Sequence, residues 1–339
     1  MSRILVVAPN WIGDALMAQP LFARLREKLP RVRLDALASP WVAPVLRRMA
    51  EVDEVIEADL RRGALELRRR WRLGRSLKPR RYDQAIVLPN TWKSALAPFF
   101  ADIPIRSGYI GESRYGLLNL PYQRGAQARE PMALRYARLS EPPGTAPKEP
   151  LPEPRLRTDC SAVASTARRF GFAARPRWNV VFCPGAEYGP AKRWPAERYG
   201  ELGSVLAARG AAVWLLGSAN DAQVCEEVMN AAKGAATSLA GRTTLDEAIE
   251  LLAAADLLVT NDSGLMHVAA ALGTPQVALY GSSSPAHTPP LASSARTVWL
   301  GIECSPCYAR QCPLGHFRCM KELSVERVLG EIERTGVLT

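Results

Sequence analysis

The chain has 339 residues, 47% of them hydrophobic and 23% charged, with a formal net charge of +11. That length fits two α/β domains better than one, the composition is that of an ordinary soluble globular protein, and no apolar stretch approaches the roughly 18 residues that span a bilayer. The apolar start at residues 4–8 runs at once into Pro9-Asn10-Trp11 without a small-residue cleavage pattern, so it reads as a first strand, and a cytoplasmic location is expected.

The first half alternates short β runs with helical runs. Residues 4–8 read as a strand and 15–29 as a helix with Leu16, Leu21, Leu25 and Leu29 at apolar positions. A strand at 32–37, a helix at 40–49 and a short strand at 52–57 follow. Between residues 61 and 81 stand ten basic residues against one acid, Glu66. A solvated helical face is the usual fate of such a run, but this one is too one-sided for ion-pair lacing and points to an anionic partner. Acidic lipid headgroups or a phosphorylated glycan fit. Nucleic acid does not, because no zinc finger or ribonucleoprotein signature is present. Residues 82–88 then read as a strand and 93–100 as the opening of a helix.

Residues 141–154, with six prolines among them, can be neither helix nor central strand, and mark an exposed connector. Beyond it the alternation restarts: helix 161–170, strand 178–183, helix 194–209, strand 212–217, helices 221–232 and 245–254, strand 257–260, helix 265–272, strand 276–280 and a last helix 324–333. The expected fold is α/β, two Rossmann-like doubly wound lobes: a domain at 1–155, a second at 156–323, and a C-terminal helix within 324–339 that could pack back on the first. Ligands of such sheets bind beyond the carboxyl ends of the strands, which in two lobes would face each other across a cleft.

Three turns at strand ends could carry chemistry. In Thr260-Asn261-Asp262-Ser263-Gly264-Leu265-Met266-His267, a strand ends and a helix begins with its free N–H groups toward the turn, an arrangement that suits a phosphate. Gly264 permits close approach, Ser263 adds a hydroxyl, and His267 lies one helical turn on, where it is either a phosphate donor or a core histidine satisfied by a carbonyl. In the turn 184–195, two glycines and three prolines surround Lys192 and Arg193. The glycine spacing is not that of a Walker A loop, yet the turn sets cations and backbone donors where a phosphate could meet them. In Pro9-Asn10-Trp11-Ile12-Gly13-Asp14, Gly13 allows a tight turn and Asp14 stands at a helix start, as a first-turn acid or as a general base. A weaker signal, around Ser218, could touch a ribose or base. No G-x-G-x-x-G, H-E-x-x-H, G-x-S-x-G or D-x-D element is present, so dinucleotide redox chemistry and a metal-bridged nucleotide-sugar site are disfavoured.

Of seven cysteines, Cys160, Cys183 and Cys225 read as ordinary buried or half-buried thiols. The other four cluster as Cys304-x2-Cys307-x4-Cys312-x6-Cys319 with His316 inside. That spacing matches no standard site; it could hold zinc or an iron–sulfur cluster, form local disulfides or stay reduced, in each case pinning an irregular loop.

The stretches ILVVAPNWIGDALMAQPLF, RRYDQAIVLPNTWKSALAPFFADIP, ESRYGLLN, FCPGAEYGPAKRWP and VTNDSGLMHVAAALGTPQVALYGSSSP, in order over most of the chain, resemble the ADP-heptose:lipopolysaccharide heptosyltransferases, most of all heptosyltransferase II. The resemblance implies the GT-B architecture with the active site between two lobes. It implies inverting transfer of L-glycero-D-manno-heptose from ADP-heptose to the first heptose of the lipopolysaccharide inner core, without metal or cofactor. Asp14 matches the catalytic aspartate and Lys192 the lysine that meets the donor phosphates. Gly13, Asp262, Ser263, Gly264 and His267 match donor-side positions, with Arg193, Ser218 and Thr243, beside Thr244, placed more loosely. The acceptor would be a phosphorylated lipid A–inner-core glycolipid at the cytoplasmic face of the inner membrane, with Arg61, Arg62, Arg68, Arg69, Lys93 and Arg114 as candidate acceptor or membrane contacts. A related transferase with another nucleotide sugar or acceptor, a sugar-nucleotide epimerase and a non-catalytic module binding acidic glycolipid are the alternatives.

Overall fold

Runs of β-branched and leucine residues buried on both faces favour parallel strands covered by helices, and the chain builds two such sheets. The computed structural model describes residues 2–61, 63–123, 130–172 and 177–338, and falls into two units, Met1–Pro154 and Arg155–Thr339.

In the first unit, β1 (Arg3–Val7), β2 (Arg33–Ala38), β3 (Glu54–Glu57), β4 (Gln84–Val87), β5 (Ile105–Tyr109) and β6 (Leu120–Tyr122) form a parallel sheet of order β3-β2-β1-β4-β5-β6. Its helices are α1 (Ile12–Met17), α2 (Gln19–Lys28), α3 (Ala43–Arg47), α4 (Leu67–Leu77), α5 (Leu96–Phe100) and α6 (Met132–Ala137). Leu5, Val7, Leu77, Ala85 and Val87 lie in one core cluster. The single helix expected over 15–29 is two. Ala18 ends α1 by donating its N–H to Asp14 O, and Pro20 opens α2, where its missing N–H costs nothing. The basic stretch contains the regular helix α4, whose Gly74 packs so close to α5 that a Cβ there would collide with Phe100.

In the second unit, α7 (Cys160–Phe170) precedes β7 (Trp178–Cys183), α8 (Ala196–Ala208), β8 (Ala211–Leu215), α9 (Ala222–Ala231), β9 (Ala236–Ser238) and α10 (Leu245–Ala253). Then come β10 (Leu257–Asn261), α11 (Gly264–Leu272), β11 (Gln276–Tyr280), β12 (Ala295–Trp299), α12 (Arg318–Lys321) and α13 (Val325–Glu333). The sheet runs β12-β11-β10-β7-β8-β9, all parallel. Each unit thus has the same doubly wound strand order, with its first and fourth strands paired at the centre. Val325, Val328 and Ile332 of α13 are buried in the core of the second unit, to which the last helix belongs. The sequence reading misses β6 and β9, which have three residues each, and β5 and β12, whose apolar residues are interrupted by Arg, Ser, Gly or Thr. The proline-rich connector is largely exposed, but Arg24 ties it down by donating to Lys148 O at 2.7 Å and Pro150 O at 2.6 Å. Among the described residues no helix is long and apolar enough to cross a membrane.

Candidate active site

In the second sheet the strand order reverses between β7 and β10, so the loops leaving their carboxyl ends diverge and open a crevice. Asn261, fully buried at the end of β10, ties the two loops together. Its Nδ2 donates to Pro184 O at 2.7 Å, and its Oδ1 accepts from Trp194 N at 3.1 Å and from the Tyr199 hydroxyl at 3.2 Å. Gly185 is required beside it, because a Cβ there would collide with the Asp221 carboxylate. Lys192 closes the 3-10 turn Pro190–Lys192, and its Nζ donates to Asp262 Oδ2 at 2.6 Å. The Tyr188 ring lies 5.1 Å from the same ammonium, and the Thr288 hydroxyl donates to Asp262 at 3.3 Å. A cation is thereby presented at the switch point, where the α11 N-terminus also begins. Ser263 caps α11 without a side-chain bond to the helix; its hydroxyl pairs with that of Thr260 at 3.1 Å. Gly264 is the first residue of α11.

His267 is 5% exposed. Burial drives its pKa down to about 4, against the pull of Asp262 and with some help from Lys192, so near neutral pH it is an uncharged imidazole. The two adjacent cations part company: Lys192 meets Asp262, while Arg193 lines a separate cavity with Val224, Glu227 and Lys321, its buried Nε without a partner. Ser218 is exposed and its hydroxyl is bonded to Asp221 in a capping box. Thr244 caps α10, and the half-buried Thr243 precedes it, in a loop held against the Ser218 turn by Gly241 N to Gly217 O.

The first sheet reverses between β1 and β4. From β1 the chain turns through buried Gly13 to half-buried Asp14 in the first turn of α1, where the helix dipole favours its charge. Tyr136 of α6 is buried, and burial followed by the Asp14 charge pushes its phenol well above the ordinary value, so a neutral hydroxyl neighbours that carboxylate. From β4 the chain runs to Lys93, in the 3-10 turn Trp92–Ala95. Arg114 is not a surface cation. It is 2% exposed, and its guanidinium donates to Tyr109 O at 3.0 Å and Pro89 O at 2.6 Å, shaping the loop that carries Lys93. Exposed Trp41 and Trp92, which follow β2 and β4, were passed over in the sequence because isolated tryptophans carry no spacing signal.

Within the basic stretch the residues divide. Arg70 is buried and donates to Leu65 O and Lys93 O, and Arg69 and Arg61 pair with Glu66. Arg68, Arg72 and Arg75 lie on one exposed face of α4 beside Trp71. Arg62 lies outside the described residues.

Cys160 is exposed, contrary to expectation, whereas Cys183 and Cys225 are buried. Cys304, Cys307, Cys312 and Cys319 are unbridged thiols that line one small cavity with His316 and Ser282. Burial and then the other three thiols push Cys319 up to about 11, while backbone N–H groups, that of Phe317 foremost, hold Cys312 below its ordinary value. Among the described residues no three His, Cys, Asp or Glu side chains are grouped closely enough to hold an ion.

Residues 70–318 match the model of glycosyltransferase family 9 (heptosyltransferase). The chain is 43% identical over 339 residues to lipopolysaccharide heptosyltransferase 2 of Escherichia coli K12, covering 97% of each. It is 43% identical over 310 residues to lipooligosaccharide heptosyltransferase 2 of Haemophilus influenzae, covering 88% of each. The solved structure of E. coli ADP-heptose lipopolysaccharide heptosyltransferase II superposes with a TM-score of 0.88 at 41% identity, over 100% of this chain and 98% of that one. Sequence, fold of the GT-B type and the matched motifs agree: the chain belongs to glycosyltransferase family 9, the heptosyltransferases, and groups with the heptosyltransferase II enzymes of lipopolysaccharide core biosynthesis.

Proposed function

We propose that the chain transfers L-glycero-D-manno-heptose from ADP-heptose to the first heptose of the lipopolysaccharide inner core, in one inverting displacement. The acceptor hydroxyl oxygen attacks the anomeric carbon and its proton passes to the Asp14 carboxylate. The bond from that carbon to the diphosphate oxygen breaks, and ADP departs. The observation that carries this reading is the half-buried Lys192 ammonium at the β7–β10 switch point, 2.6 Å from Asp262 and beside the start of α11. Asp262 is itself an anion, so its part is to aim the lysine and not to touch phosphate. Charge building on the leaving diphosphate is met by Lys192 and the helix N–H groups, and a divalent ion at the reacting centre is not called for. His267, uncharged, can donate a ring N–H to a phosphate oxygen without adding charge.

Acceptor recognition is assigned to the first unit. Lys93 shares with Asp14 the loops that leave the first sheet's switch point. Exposed Trp41 and Trp92 offer flat apolar faces to sugar rings. Arg68, Arg72 and Arg75, with Trp71, suit the anionic surface of a phosphorylated glycolipid at the inner leaflet, which supports a position at the cytoplasmic face of the inner membrane. The test is incubation with ADP-heptose and a heptose-I-terminated core acceptor, followed by mass spectrometry. A gain of one heptose residue with release of ADP is expected; donor consumption that leaves the acceptor mass unchanged would overturn the assignment.

A further inference from the structure

Residues 300–317, between β12 and α12, contain no helix or strand. So long an irregular segment in a small domain normally needs something to hold it. This one contributes few apolar side chains to the core, yet it carries three cysteines and ends two residues before the fourth, Cys319. All four thiols line the same cavity. The backbone around them is bent tightly, with Tyr308 directly after Cys307 at φ 55°, Gly315 at φ 70° and Phe317 at φ 53°. The second bend turns the Phe317 N–H onto Cys312 Sγ at 3.4 Å, a bond that favours a thiolate there. Ser282, 1% exposed, lines the cavity too, and its hydroxyl has no partner. A buried hydroxyl without an acceptor is costly, and it leaves a polar atom at the wall of the cavity that the four sulfurs share.

We propose that Cys304, Cys307, Cys312 and Cys319 form a structural tetrathiolate site for one divalent d-block cation, zinc or iron(II). Binding releases four protons, one from each thiol, and leaves a complex of net charge −2 with no oxidation or reduction. The thiols surround a shared cavity and do not yet stand at coordinating distance, so the ion draws the loop closed, as is usual where a site is completed by its metal. His316 is not a ligand: its Nδ1 already accepts from Arg318 N at 3.0 Å. Four thiolates fill a tetrahedral shell, so the ion is a brace with no open position for catalysis.

What it braces is the lysine loop. Arg310 O accepts from Ala191 N at 3.1 Å, Tyr308 O accepts from the Tyr188 hydroxyl at 2.7 Å, and Gly189 lies so close to Arg310 that a Cβ would collide with its carbonyl. Tyr308 N donates to Ser282 O at 2.7 Å, which fixes the turn after β11 as well. Only this link to Lys192 rests on the proposed function; the metal site stands without it.

The full chain, purified without chelators, should carry about one zinc or iron per molecule by plasma mass spectrometry. Cys307→Ser and Cys319→Ser should lose it, and Cys160→Ser and His316→Gln should keep it. Exchange of cobalt(II) into the unmutated chain should give the intense sulfur-to-metal absorption and the visible bands of a tetrahedral four-thiolate ion, a readout that survives if the variants fail to fold. Less than about a tenth of an equivalent of metal with no cobalt spectrum would overturn the site, as would retention by Cys307→Ser, or an intact mass short by the hydrogens lost in disulfides. Calorimetry with ADP reads the link: metal removal should weaken binding about tenfold, and unchanged affinity would refute the brace. A metal-loaded chain that never binds ADP would count against the donor reading and leave the thiolate site standing.

Discussion

At Lys192 and Asp262 two opposite charges lie 2.6 Å apart, 17% and 5% exposed, so neither can be altered without consequence for the other. Lys192→Ala should weaken ADP-heptose binding roughly 10- to 100-fold, the loss of one charge-assisted contact, and should also lower turnover; calorimetry and initial rates check this, and unchanged kinetics would remove the lysine from the site. Adding Asp262→Asn to that variant separates the lost phosphate contact from the carboxylate left without its cation. Asp14→Asn should lower kcat by about 10²- to 10⁴-fold while ADP affinity stays within about twofold; loss of ADP binding instead would show Asp14 to be structural. His267 predicts an acid limit. Its folded pKa, about 4, lies below the ordinary 6.5, so the unfolded chain takes up the proton more readily. The stability this residue supplies is complete above about pH 6.5 and is lost as the pH falls toward about 4. By about pH 4.5 the loss should be of the order of 2–3 kcal/mol in urea unfolding, and His267→Gln should show that much less pH dependence; an unchanged slope would mean the imidazole is solvated.

The helix α4 is the element most changed by seeing it folded. Its basic run looked uniform, but Arg70 turns inward to carbonyls and Arg61 and Arg69 are spent on Glu66. Replacing Arg68, Arg72 and Arg75 together by alanine should cut binding to phosphatidylglycerol vesicles by about 100-fold, near 1 kcal/mol for each charge. Binding to neutral phosphatidylcholine should stay unchanged, and equal loss on both would make the effect one of folding. Helices and strands with long apolar periods, such as β7, β11 and α10, were legible in sequence because their pattern reports burial directly. Arg114 was misread for the opposite reason: nothing local distinguishes a guanidinium that shapes a loop from one that meets solvent.

Across the whole molecule, two units of like strand order each bury their own core, so each has its own stability. ADP at about 100 times its Kd should stabilise the second unit by about 2.7 kcal/mol. Hydrogen exchange should then slow in peptides over β10 and α11 with little change over β2 and α3; equal protection of both would contradict donor binding by one unit. Lys192 and Asp14 stand out in the chain as residues to test, and most strands and helices and the family were readable from it, because hydrophobic period, turn composition and short motifs are local properties. The pairing of Lys192 with Asp262, the parting of Arg193 from Lys192, the neutral state of His267, the keystone role of Asn261 and the gathering of four thiols onto the lysine loop were not. Each depends on which groups long-range folding brings within a few ångströms and how much water it removes from them, and neither distance nor dielectric is written in the order of residues.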